Sequence, residues 1–233
     1  MGQYYKPTNL DKMEWVYSHE IKSEFYNLDG KLVECGEGMK LMEHSYLGNK
    51  MMNVIENFLL EGGEWFGNRI VWAGDCAENE ENTETTLYDL VEEKGKKVMG
   101  STKGLPNERY LLNLDKKEFI DLSKIKRDKE GFAIHPLPLL TCESNGLGGG
   151  DFYGEDERIG TWARDRIGIT KVKPSTNLQA FNIKEDLEKA IARKNKKGEV
   201  EVVFKLSQFS CGFFEIDGNF QEERETLNLT TIK

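Results

Sequence analysis

Cysteine is scarce and scattered in this 233-residue chain. Cys35, Cys76, Cys142 and Cys211 form no C-x-x-C pair, so their spacing indicates neither a zinc knuckle nor a compact disulfide framework. A reducing compartment is the simplest setting for four separated thiols. No apolar run approaches membrane-spanning length, and the opening Met1-Gly2-Gln3-Tyr4-Tyr5-Lys6 lacks the apolar core of a secretory signal. Lys6 also stands where a myristoylation signal needs Ser or Thr. A cytoplasmic protein is expected. Positive charge is in deficit too: 32 Lys and Arg against 41 Asp and Glu leave a net charge of −9, which opposes nucleic-acid phosphates and anionic membranes as partners. Histidine is limited to His19, His44 and His135, whose spacing is not that of metal ligands.

Bulky core material is plentiful: 12 Phe, 8 Tyr and 4 Trp in a chain long enough to fold without metal or disulfide staples. Tyr4-Tyr5 reads as a strand, and Phe25 to Val33 as a hairpin turning at Asn27-Leu28-Asp29-Gly30. Leu47, Met51, Val54, Ile55, Phe58 and Leu59 recur at helical spacing, with Asn49, Lys50, Asn53 and Glu56 expected on the solvent side. Arg69 to Ala73 reads as a strand. The stretch from Asp75 to Glu93 holds eight acidic residues and no basic one, and is expected as a solvated loop entering a helix at about Thr85 to Glu93.

A second hairpin is expected from Tyr110-Leu111-Leu112, the turn Asn113-Leu114-Asp115-Lys116, and Phe119-Ile120. Prolines at 136 and 138 predict extended chain from His135 to Leu140. A helix with a capping box at Asn182 and Glu185, a stripe of Leu187, Ala190 and Ile191, and a stop at Gly198 is expected next. Strands at Glu201 to Leu206 and Phe213 to Ile216 close the reading. The fold class is α+β, a mainly antiparallel sheet with two to three amphipathic helices. One globular domain spans 1–220, divisible into pseudo-repeat halves of about 1–100 and 101–220, with a polar tail at 221–233.

The division rests on an echo. Trp65, Asn68, Arg69 and Ile70 recur at the same spacing as Trp162, Asp165, Arg166 and Ile167, each set leading into a strand. Arg69 and Arg166 can frame a polar ligand between equivalent strands while Trp65 and Trp162 stack on its ring; alternatively each Trp is a core anchor and each Arg pairs with a carboxylate such as Asp75 or Asp165.

The run Asn145-Gly146-Leu147-Gly148-Gly149-Gly150-Asp151 is neither a Walker loop nor a dinucleotide fingerprint, because Lys-Ser/Thr and the third glycine are missing. Its amides can form an anion nest, whereas Asp151, Glu155 and Asp156 suit a hard cation; a plain surface loop is the alternative. His135 is a candidate general base with Cys142 or Glu143 as partner, set against a half-buried histidine and a core thiol. No pattern identifies a cofactor.

Met1-Gly-Gln-Tyr-Tyr-Lys6, Gly38-Met-Lys-Leu-Met-Glu-His44, Val71-Trp-Ala-Gly-Asp75, His135-Pro-Leu-Pro-Leu-Leu-Thr141, Gly148-Gly-Gly-Asp151 and Trp162-Ala-Arg-Asp165 together resemble a family of uncharacterised bacterial and phage proteins. The resemblance implies a bacterial or phage setting and an intracellular protein, and brings no activity with it.

Three functions are therefore weighed. The first is binding of a small polar or nucleotide-derived ligand by Trp65, Arg69, Gly148, Gly149, Gly150, Asp151, Trp162 and Arg166, which in a phage would sequester a host signal. The second is a metal-assisted hydrolase using Asp151, Glu155, Asp156 and His135. The third is an acidic interaction or immunity-type inhibitor that meets a basic protein partner through the Asp75 to Glu93 stretch.

Overall fold

The computed structural model describes residues 4–26, 32–36, 45–125, 135–143, 159–174, 179–180, 192–194 and 200–202, with side chains described for 4–21, 45–125, 135–143 and 159–174. Its centre is a nine-stranded sheet. Strands β1 (Tyr5–Asn9) and β2 (Glu14–Val16) form a hairpin, followed by the pair β3 (Lys22–Tyr26) and β4 (Leu32–Gly36), which stands apart from the main sheet. Then come α1 (Lys50–Leu59), β5 (Asn68–Gly74), α2 (Leu87–Lys94) and β6 (Lys96–Val98). The hairpin β7 (Tyr110–Asn113) and β8 (Glu118–Asp121) leads to α3 (Pro136–Thr141), β9 (Cys142–Glu143), β10 (Arg166–Thr170) and β11 (Gln179–Ala180). A separate pair, β12 (Ala192–Lys194) and β13 (Val200–Val202), follows.

The strand order, β11-β8-β7-β10-β5-β1-β2-β6, reads alike from both ends, with β9 joined to β5. Each central strand carries an antiparallel hairpin beside it, and each hairpin has an edge strand added in parallel, β6 on β2 and β11 on β8. The two halves meet where β10 and β5 run antiparallel, Arg166 opposite Arg69 and Ile167 opposite Asn68. The architecture is thus the α+β one expected, mostly antiparallel, with three α-helices among the described residues.

Alternation along the strands gives the sheet two working faces. Tyr5, Ile70, Trp72, Leu111, Ile120, Ile167 and Ile169 point inward to the main core, closed by Met51, Met52, Val54, Ile55, Phe58 and Leu59 of α1 and by Leu137, Leu139 and Leu140 of α3. On the outer face of the first half, α2 sets Leu87 and Val91 on Trp15, Val71 and Ala73. Both longer helices start on side-chain caps: Asn49 accepts from the Met52 N–H at 2.7 Å, and Thr86 from the Asp89 N–H at 3.3 Å. No helix among the described residues is long and apolar enough to cross a membrane.

Three expectations change. The segment after His135 is helical, because Pro136 and Pro138 occupy first-turn positions whose N–H groups have no intrahelical partner in any helix. His135 caps that helix, its Nδ1 accepting the Leu137 N–H at 3.1 Å. Asn53 and Glu56 are buried instead of facing solvent, at 6% and 0% exposure, since the side of α1 that carries them is covered by other parts of the chain. Ala192–Lys194 is a strand paired with β13, so the late helix does not run through it; the rest of that helix, the turn 27–31 and the strands expected beyond residue 202 lie outside the described residues.

Candidate functional site

The echo seen around the two tryptophans extends to the hairpins. Asn9-Leu10-Asp11-Lys12 and Asn113-Leu114-Asp115-Lys116 form matching turns, each followed by a residue at positive φ, Met13 at 50° and Lys117 at 57°. The Asn9 carboxamide oxygen accepts the N–H groups of Asp11 and Lys12, and Asn113 does the same for Asp115 and Lys116. Each turn then presents its aspartate to the opposite strand. Asp11 accepts the Arg69 backbone N–H and Nε, both at 2.7 Å; Asp115 accepts those of Arg166, both at 2.7 Å. The carboxylates paired with these arginines are therefore Asp11 and Asp115, not Asp75 or Asp165: Asp75 accepts from the Tyr4 N–H, and Asp165 from Asn113 and Lys116.

The two arginines stand side by side on the outer face, with side chains 54% and 55% exposed. Arg166 holds the Asp115 carboxyl below its usual range through side-chain and backbone hydrogen bonds, so the pair stays ionised across ordinary pH. Among the described residues, Asp11 takes only Nε of the Arg69 side chain, and Asp115 leaves Nη1 of Arg166 unused. Carboxylate pairing fixes where each guanidinium points and leaves nitrogens for another acceptor.

Beside Arg166 the outer face of the second half carries an aromatic strip. Directly paired residues share a face, so Thr170 with Tyr110, and Gly168 with Leu112 and Phe119, lie in rows on the Arg166 side. Phe66 covers Gly168, and Tyr110 meets Phe119 edge to face with centroids 5.9 Å apart. All three rings are half-buried. In the first half the same rows, Lys6 with Ala73 and Thr8 with Trp15 and Val71, are roofed by α2. The connection from β10 to β11 spans residues 171–178, against 75–95 for the connection that carries α2.

Trp65 and Trp162, the expected stacking residues, are fully buried. Trp65 donates Nε1–H to Glu14 at 2.9 Å and stacks on Phe58; Trp162 donates to Glu118 at 2.9 Å. Both anchor loops in the core, and neither presents a ring face to the surface.

The chain matches no known family model, no curated protein and no solved structure.

His135, Cys142 and Glu143 do not form one group. Glu56 lies between Arg109, whose Nε and Nη2 donate at 2.8 and 2.7 Å, and His135, whose Nε2 sits 3.0 Å from Oε1. Because Nδ1 accepts the Leu137 N–H, Nε2 carries the proton and donates it to Glu56. Burial pushes the Glu56 carboxyl up, but hydrogen bonds from His135 and Arg109 and the Arg109 charge bring it below its ordinary value. Burial holds the His135 imidazole below its ordinary value and outweighs the pull of Glu56. This sealed group ties α1, α3 and the segment before β7 together. Glu56 and Arg109 escape sequence reasoning because no periodicity distinguishes a charged residue facing solvent from one facing a buried partner.

The Cys142 thiol is pushed up to about 12 by burial and bonds to the Leu139 carbonyl, which makes it inert as a nucleophile near neutral pH. Glu143 lies on the surface, where it and Glu80 bind the two sides of Arg164. Arg164 adopts φ of 64°, the left-handed conformation that Gly67 takes at the matching place in the first loop. Gly148, Gly149, Gly150, Asp151, Glu155, Asp156 and His44 lie outside the described residues. Among the described residues no three His, Cys, Asp or Glu side chains are grouped to hold a metal ion.

Proposed function

We propose that the protein binds a small nucleotide-derived ligand on the outer face of its second half, with a ring against Phe66, Leu112 and Phe119 and an anionic group at Arg166. The single observation behind this reading is the strip of half-buried aromatic side chains ending at two oriented guanidiniums, on a face whose counterpart is filled by α2. Aromatic stacking and charge-assisted hydrogen bonds together suit a planar base carrying phosphate. Against the hydrolase reading, His135 is sealed from solvent and committed at both ring nitrogens.

Titration calorimetry with a panel of nucleoside monophosphates tests the proposal. Binding that falls at least about tenfold in Arg166→Ala, in line with loss of a charge-assisted contact, and also falls in Phe119→Ala, is expected. Unchanged affinity in Arg166→Ala sinks it.

A basic protein partner is the second reading. It is favoured by Glu78, Glu81, Glu84, Asp89, Glu92 and Glu93, all exposed on α2 and the connection before it. A captured partner whose retention does not weaken with added salt would remove that reading.

A further inference from the structure

Resting on the ligand reading above, we infer that the ligand carries two linked phosphoryl groups, a nucleoside diphosphate, with the phosphoryl next to the nucleoside at Arg166 and the terminal one at Arg69. The order of strands sets this direction. Phe119 on β8, Leu112 on β7 and Gly168 on β10 form one row across the sheet, and Arg166 lies two residues back along β10 on the same face. Arg69 is one strand further from the rings, directly opposite Arg166 on β5. A base seated on the strip therefore meets Arg166 first and Arg69 second.

Directly opposed residues of antiparallel strands have Cα atoms about 4.5 to 5.5 Å apart, so the two arginines rise from neighbouring points of the sheet, and Arg166 lies within electrostatic reach of Asp11. Phosphoryl groups joined through one bridging oxygen are neighbours on the same scale. Each guanidinium serves its own phosphoryl through the Nη donors its aspartate leaves, better than two guanidiniums share one, because each is already oriented by its own aspartate through Nε. Asp11 and Asp115 lie in the turns at the two ends of the cluster, and their charge disfavours an anion that engages fewer than both arginines. On the other half, α2 occupies the matching face, so among the described residues this arrangement occurs once.

The test is calorimetric titration of AMP and ADP into the wild type, Arg69→Gln and Arg166→Gln, each checked for an unchanged melting temperature. ADP is expected to bind at least about tenfold more tightly than AMP, as one added charge-assisted contact implies. Arg69→Gln is expected to bring ADP down toward the AMP affinity and to cost AMP much less than ADP, whereas Arg166→Gln weakens both. Equal affinities for AMP and ADP in the wild type, or equal losses for both in Arg69→Gln, overturn the inference while the ligand reading stands. If neither nucleotide nor any other nucleoside phosphate binds, the ligand reading itself fails and the inference with it.

Discussion

Phe66 rests on Gly168 so closely that a Cβ at position 168 would stand 2.6 Å from the ring Cε2. The matching positions in the other half are Ala163 and Val71, where a small loop residue packs against a cluster containing a larger strand residue. The two contacts have exchanged volumes. Gly168→Val is expected to destabilise the fold by about 1 to 3 kcal/mol through overpacking. Adding Phe66→Ala recreates the first half's arrangement and is expected to recover part of that loss. Denaturant unfolding of the two single variants and the double variant checks this, and strict additivity would show that the two positions are not in contact.

The indole nitrogens of Trp65 and Trp162 serve equivalent carboxylates, Glu14 and Glu118. Trp65→Phe removes the donor and part of the buried ring system, leaving the buried Glu14 carboxylate one hydrogen bond short and a cavity beside it that adds to the cost below. A loss of about 1.5 to 3 kcal/mol is expected for a bond to a charged group. Nucleotide affinity is expected to stay unchanged, because the ring lies on the core side of the sheet. Paired unfolding and titration measurements separate the two effects.

His135 makes stability depend on pH in a defined direction. Its folded-state pKa lies below the ordinary value of 6.5, so the unfolded chain takes up a proton that the folded chain refuses. Its contribution is complete above that value and is lost as pH falls below it. Glu56 acts lower, below its ordinary value of 4.5, because its folded-state pKa is depressed. Melting temperatures followed from pH 7.5 down to 5 should therefore fall in the wild type. In His135→Asn, which keeps an acceptor at the helix cap but does not titrate there, the slope over this range should flatten. An unaltered slope would place the titrating group elsewhere.

Much of the sheet is visible in local pattern. The β7–β8 hairpin follows from Asn-Leu-Asp-Lys between apolar residues, and α1 from its apolar stripe. The first hairpin carries the same four residues at 9–12, so aligning the two turns picks out Asp11 and Asp115 from the sequence alone. The α3 helix is hidden from any rule that treats proline only as a helix breaker, because a first turn tolerates it. The pairing of Glu56 with Arg109 and His135 leaves no trace, since those residues are 53 and 79 positions apart and share no motif.

By itself the sequence determined the α+β class, the repeated Trp and Arg units and the acidic α2 region, because turn chemistry and hydrophobic period act over a few neighbouring residues. Tertiary structure decided which side chains face water. It placed the two tryptophans in the core, the two arginines together on the surface, and Phe66, Tyr110 and Phe119 beside them. That outcome depends on which strands pair and which face a helix covers, and these are settled by contacts between residues far apart in the chain.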